Sequence, residues 1–259
     1  LSRPLSLDDC IRIALSNNYA VRKADLDREL YRIGKNVAFT AFLPNVAVSA
    51  GYNVYEKEMP QQHERRFGTA DLTAGMPVFM PSTWFLYAAA RHGYAAAGVA
   101  ARYVRQTIVL QTSVRYYNVL VQLDTITALE TQLEAARQTA DRVGGLADEG
   151  LAARWEGDQA RMAADLRESE LNQARRQLAV LRGELLHDLG LPPDAPLELS
   201  GDTGEPRLPQ GDLEDLVLQA LEVHPELALA DRQVVIQDHQ VRQAFCDFLP
   251  TISLFSTGT

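Results

Sequence analysis

The chain has little that chemistry could use. Among 259 residues there are two cysteines, five histidines and two tryptophans. Cys10 and Cys246 show no metal-type spacing, and such scarcity fits either a reducing cytosol or a secreted protein that needs no staples. A Gly-rich phosphate loop, a His-Glu-x-x-His pair, a Cys-x-x-Cys pair and a serine elbow are all missing, so no acid, base and nucleophile set points to an enzyme, a cofactor or a metal. His63, His92, His187, His224 and His239 are scattered over a loop, three helical patterns and a helix break. Packing or solvent-exposed roles suit them, because ligation needs clustered partners. Arg167, Glu168 and Glu170 lie on a helix face whose ordinary roles are solubility and pairing along the helix.

Basic blocks are absent as well. The net charge is −9 with a sequence pI near 5.1, and Arg65-Arg66 and Arg175-Arg176 are isolated pairs, which argues against nucleic acid. No run approaches the ~20 apolar residues of a spanning helix, although short alternating strands cross membranes without one. No leader is visible, and Leu1 is not a natural start residue, as a cleaved leader would leave it.

What the chain does contain is one junction twice. Ala38-Phe39-Thr40-Ala41-Phe42-Leu43-Pro44 and Ala244-Phe245-Cys246-Asp247-Phe248-Leu249-Pro250 each end a helical pattern and open a period-two pattern. Proline lacks the amide donor and pushes the residue before it out of the α region, so Leu43 and Leu249 are poor places to continue a helix. The offset of 206 residues holds back to the start of each unit. Leu7, Asp9, Ala14, Leu15, Ala24 and Asp25 recur as Leu213, Asp215, Ala220, Leu221, Ala230 and Asp231. The reading is an internal duplication, with a first repeat over 1–211 and the start of a second over 212–259. On that argument a full second repeat would run to about residue 417, and the chain reads as a fragment.

Within the first repeat, Ser6 with Asp9 resembles a capping box opening helix 7–41, which Asn17-Asn18 interrupts. Leu26, Leu30, Ile33 and Val37 form an apolar stripe that needs a partner. Strands follow at 45–55 and 69–79, joined by a charged connection from Glu56 to Arg66. Pro81-Ser82 closes the second strand, with Ser82 as cap of a helix over 83–143, about 90 Å long at the α-helical rise. Leu110, Val114, Tyr117 and Val121, then Ile126, Leu129, Leu133, Ala136, Ala140 and Val143, repeat near 3.5 residues, the spacing of a left-handed coiled coil. Gly144-Gly145 and Gly150 mark the turn into a return helix over 152–189, whose Leu171, Ala174, Leu178, Leu181 and Leu185 allow antiparallel pairing. A linker over 190–211 precedes the second repeat, with Asp212 as cap, helices over 213–247 broken at His224-Pro225, and a strand over 251–257.

Alternation alone favours a surface hairpin on a soluble domain, because barrel-strand signals are weak per segment. The order of features points elsewhere. Leu-Ser-Leu-Asp-Asp near the start, Phe-Leu-Pro at residues 42–44, Met-Pro-Val-Phe at 76–79, an alanine-rich long helix, a Gly-Leu-Ala tip at 150–152 and a return helix ending in Leu-Gly all restart at Asp212. This series resembles the TolC-like outer-membrane efflux proteins over essentially the whole chain, about the first three-fifths of a member.

The resemblance implies a mainly α protein with β strands, its long antiparallel coiled-coil helices forming a tunnel across the periplasm. It implies a homotrimer whose strands close one twelve-stranded barrel in the outer membrane. Val46, Val48, Ala50, Tyr52, Val54, Leu72, Ala74, Met76 and Val78 would face lipid, and Ser49, Asn53, Thr69, Asp71 and Thr73 a wet lumen. Phe42, Leu43, Pro44, Phe248, Leu249 and Pro250 would form the helix–strand junctions. The turn at Arg142, Gly150, Leu151 and Glu156 would meet a periplasmic adaptor, with an inner-membrane pump beyond it. Gly157 after that acidic residue departs from the family pattern. The implied function is a passive export duct of a tripartite efflux or type I secretion system, with no cofactor. The alternative is a soluble coiled-coil scaffold or interaction protein carrying a surface hairpin.

Overall fold

The computed structural model describes residues 4–54, 66–201 and 211–258, without the side chains of Asn53 and Phe67. Tyr55, the connection from Glu56 to Arg65 with His63, and linker positions 202–210 lie outside the described residues. The element order is α1 (Leu7–Asn17), α2 (Tyr19–Thr40), β1 (Asn45–Val54), β2 (Arg66–Phe79), α3 (Pro81–Asp148), α4 (Arg154–Asp188), α5 (Leu213–Val223), α6 (Pro225–Cys246) and β3 (Ile252–Gly258). The duplication is visible in the elements themselves: α5 and α6 have the lengths of α1 and α2, 11 and 22 residues.

Two compact units emerge, Leu1–Lys23 with Val104–Gln210, and Ala24–Tyr103 with Gly211–Thr259. They cut across the sequence repeats, because α2 and α3 each contribute to both.

In the first unit the Ser6 hydroxyl accepts the Asp9 amide at 3.2 Å while the Asp9 carboxylate accepts the Ser6 amide at 3.4 Å, closing a capping box on α1. Asn18 then breaks the helix and restarts it. Its side-chain oxygen accepts the Ala20 amide at 2.8 Å, and its amide group donates to the Asp188 carbonyl at 2.9 Å. Asp188 is buried beside Arg115, 3.1 Å from its Nε. Cys10, Ala14, Ile108, Tyr116, Val119, Leu185, Leu186 and Leu189 make the core. Across it, Leu5 bridges Leu199 in parallel, and the Tyr116 hydroxyl donates to the Ser200 carbonyl at 2.6 Å. Burial of Cys10, followed by the nearby Asp9 charge, pushes its thiol up to about 11 and leaves it a packing residue.

Further along, Ile126 and Leu133 of α3 pack on Leu171 and Ala174 of α4, with Leu129 and Leu178 beside them. The earlier part of the predicted stripe behaves differently. Leu110, Val114, Tyr117 and Val121 are exposed, and the face carrying Ile108, Thr112, Tyr116 and Val119 turns inward instead. Here α3 is apolar on two sides, so a single-stripe reading chose the wrong one for burial.

The expected end of α3 at Val143 is also corrected: the helix continues through Gly144-Gly145 to Asp148. Its start moves to Pro81, since proline at the first helical position loses no intrahelical bond. β2 starts at Arg66, three residues before the expected bound, and β3 is shifted by one residue to Ile252–Gly258.

In the second unit, α3 touches α2 through rings: Phe39 and Phe42 each lie about 6 Å from Tyr87, and Arg28 and Lys35 sit over Tyr94. It touches α6 through Tyr103, whose hydroxyl donates to Glu226 at 2.7 Å, and through a stack of His92 on His239. The α2 stripe of Leu26, Leu30, Ile33 and Val37 finds no cover, at 50–70% exposure.

Candidate membrane and assembly surfaces

The three strands form one antiparallel sheet in the order β1-β2-β3. In an antiparallel ladder, directly opposed residues share a face. Val46 opposes Ala74 and Val48 opposes Leu72, while Ala74 and Met76 oppose Ser256 and Leu254. The nine residues expected to face lipid therefore fall on one face of β1 and β2, except at Val78. There the register shifts between Pro77 and Phe79, so Val78 has no facing partner and Phe79 opposes Ile252. Pro77 supplies the cause, since it cannot donate to the ladder from a central strand.

The opposite face carries Ser49 against Asp71, Gly51 against Thr69, and Ala47 against Thr73, which in turn opposes Thr257. Asn53 pairs with Phe67 in the register, but its side chain lies outside the described ones. Thr69 and Thr73 turn their hydroxyls onto the Gly51 and Ala47 carbonyls of the neighbouring strand, at 3.5 and 3.4 Å. One aromatic was not foreseen: Phe255 opposes Gly75 and stands on this polar face.

Among the described residues, nothing covers either face. Val48 is 76% exposed, and Val46, Tyr52, Val54, Leu72, Met76 and Leu254 are all exposed with it. Arg66 closes the apolar face at its loop end, opposite Val54, where a long side chain carries its charge to the rim. The outer edges of β1 and β3 carry no neighbour among the described strands. Long uncovered edges of this kind template pairing with another chain.

Both junctions below the sheet are built alike. The Phe42 and Leu43 amides donate to the Phe39 and Thr40 carbonyls at 3.1 and 3.0 Å; those of Phe248 and Leu249 donate to Phe245 and Cys246 at 3.3 and 3.0 Å. Each last turn tightens before Pro44 or Pro250. Their surroundings differ, because Phe42 packs on Phe39 and Tyr87 whereas Phe248 is 89% exposed.

At the α3–α4 turn the Leu151 amide donates to the Leu146 carbonyl at 2.8 Å and that of Gly150 to Ala147 at 3.1 Å, with Gly150 at φ 76. This bonding defines a Schellman stop. Glu156 reaches back to accept the Ala153 amide at 3.3 Å, so it caps α4 as well as standing at the tip. Arg142 lies on the exposed face of α3, more than a turn before that stop, and Leu151 points to solvent. Gly157 is buried, and a Cβ there would lie 3.7 Å from Gly144 Cα and from Ala147 Cβ. Of the glycines that read as a turn signal, Gly150 makes the turn, while Gly144 lies inside α3 where α4 approaches at Gly157. Asp148, Arg154, Asp158 and Arg161 line a shallow recess of about 200 Å³ beside them.

No group of three or more potential metal ligands occurs among the described residues. No helix among them is long and apolar enough to cross a membrane.

A family model described as outer membrane efflux protein matches residues 10–190. No curated protein matches the chain. Among solved structures, it is similar to the outer membrane protein VceC of Vibrio cholerae, at 18% identity and a TM-score of 0.80 over 97% of this chain and 61% of that one. The CmeC outer membrane channel of Campylobacter jejuni gives 18% and 0.76 over 97% and 55%. The open-state MtrE outer membrane channel of Neisseria gonorrhoeae gives 19% and 0.72 over 97% and 57%. Such likeness establishes the fold, and the chain spans about three-fifths of the length of these structures.

Proposed function

Because this chain belongs to the outer membrane efflux protein family, we propose that it forms part of the wall of a passive export duct in the bacterial outer membrane that reaches into the periplasm. The observation that carries this reading is the sheet: one face apolar, the other polar, both open to solvent, and both outer edges without a described neighbour. A soluble hairpin would bury one face against its own core. Lipid on the apolar side and water on the polar side suit both faces.

Three strands cannot close a barrel, and unpaired edges do not survive in hydrocarbon, so further strands must join both edges of this sheet. A homotrimer in which each full-length copy gives four strands to one twelve-stranded barrel meets that need. Val46, Val48, Ala50, Tyr52, Val54, Leu72, Ala74, Met76 and Val78 then contact lipid, and Ser49, Asn53, Thr69, Asp71 and Thr73 line the lumen. The exposed rows Leu26, Leu30, Ile33, Val37 and Leu110, Val114, Val121 give each helix a second apolar side, as a wall element requires. The tip at Arg142, Gly150, Leu151 and Glu156 meets a periplasmic adaptor that links the duct to an inner-membrane pump, in a tripartite efflux or type I secretion system. The driving force belongs to that pump, and this chain contributes no catalytic group.

Reconstitution of the full-length protein in planar bilayers tests the reading. Trimeric, water-filled conductance is the expected result, and a monodisperse soluble monomer without conductance would contradict it.

A further inference from the structure

Among the described histidines, only His92 of α3 and His239 of α6 meet ring to ring, with centroids 5.3 Å apart and planes inclined by 23°. Phe85, one helical stretch earlier on α3, lies 6.2 Å from the His239 ring. The imidazole nitrogens of near-parallel rings point along their planes and do not converge, so the pair is no metal clamp. It is a packing contact made of groups that ionise near neutrality.

Two arginines face the stack. Arg91 on α3 and Arg232 on α6 both act on His92. Asp238, the acidic neighbour of His239 on its own helix, is engaged 2.9 Å from Arg242. From α2, Arg28 and Lys35 sit over the Tyr94 ring. The His239 Nδ1 is shut off from solvent and has no hydrogen-bond partner among the described residues.

We propose that the His92–His239 stack is an acid-sensitive clasp, which holds α3 against α6 while the His92 ring is neutral and loosens that contact when His92 takes a proton beside Arg91 and Arg232. A neutral His92 ring gains from packing against its neighbour, whereas a charged one must be dehydrated there and faces two guanidinium groups.

Burial holds the His92 imidazole below the ordinary histidine value, with His239, Arg91 and Arg232 acting in the same direction. The folded chain therefore binds fewer protons there than the unfolded chain. Its packing is favoured above the ordinary histidine range and weakens as pH falls through it.

Hydrogen exchange on the full-length protein, corrected for intrinsic amide rates, tests the clasp without reference to conductance. Between about pH 7.5 and about pH 5.5, amides around His92 and His239 should lose protection. Amides of α4 should not change. In His92→Phe/His239→Phe, which keeps two rings that cannot be charged, the loss should vanish. Equal protection at both pH values, an equal loss across α4, or a loss that survives in the double variant would overturn the proposal. Arg232→Gln leaves the stack in place and removes one positive neighbour. The midpoint of the loss should then move to higher pH, and an unmoved or lower midpoint would also overturn it.

Discussion

Gly150 and Gly190 share a left-handed backbone but not a neighbourhood. At Gly150, φ is +76 and nothing lies within 4 Å of where a Cβ would be; at Gly190, φ is +66 and a Cβ would come 2.8 Å from the Asn17 carbonyl oxygen. Gly150→Ala should cost only the conformational term of about 1 kcal/mol. Gly190→Ala adds a backbone clash that no rotamer relieves, and should cost roughly 2–3 kcal/mol or more. Denaturant unfolding of the two variants checks the order. Cys10 gives a second residue-scale test. Its raised thiol value of about 11 means the folded chain keeps a proton that the unfolded chain releases near its ordinary value. Stability from this group is present at lower pH and declines as pH rises from about 9 towards 11. The decline should flatten in Cys10→Ala, as read from unfolding midpoints across that range.

For the elements, the test is which side of a strand carries a substitution. Val48→Arg or Leu72→Arg should cost roughly 2–4 kcal/mol of assembly stability near the bilayer midplane. Thr73→Arg, one residue from Leu72 but on the opposite face, should cost little. Heat-resistance of the assembled full-length protein in detergent distinguishes the two. On the helices, Gly157→Ala meets only ordinary contacts at 3.7 Å and gains helix propensity, so it should be neutral or slightly stabilising, by up to about 1 kcal/mol. The strands and junctions were legible because proline and period-two alternation are local signals; Pro44 and Pro250 end their helices wherever the chain goes. Gly144-Gly145 misled because a glycine pair lowers helix propensity without ending a helix, and the stop comes at Gly150, where φ is positive. The outward row on α3 misled for a related reason: spacing reveals an apolar side but not what covers it. The tie from Asn18 to Asp188 and the bond from Tyr116 to Ser200 join residues 170 and 84 positions apart, and no local pattern announces them.

At the scale of the whole molecule, the account rests on surfaces that the described chain does not satisfy by itself. The sheet has a polar face and an apolar face, both bare, and α2 and α3 carry apolar rows with nothing over them. Burial of such rows between copies would supply the association that an open sheet edge demands. The most direct measurement is a cysteine-accessibility scan of β1 in the full-length protein, reconstituted in liposomes, with a water-soluble maleimide as probe. Ala47→Cys, Ser49→Cys and Gly51→Cys should react, and Val46→Cys, Val48→Cys and Ala50→Cys should be protected, in strict alternation. Equal labelling of both sets would contradict the account, because it would place both faces of the strand in water.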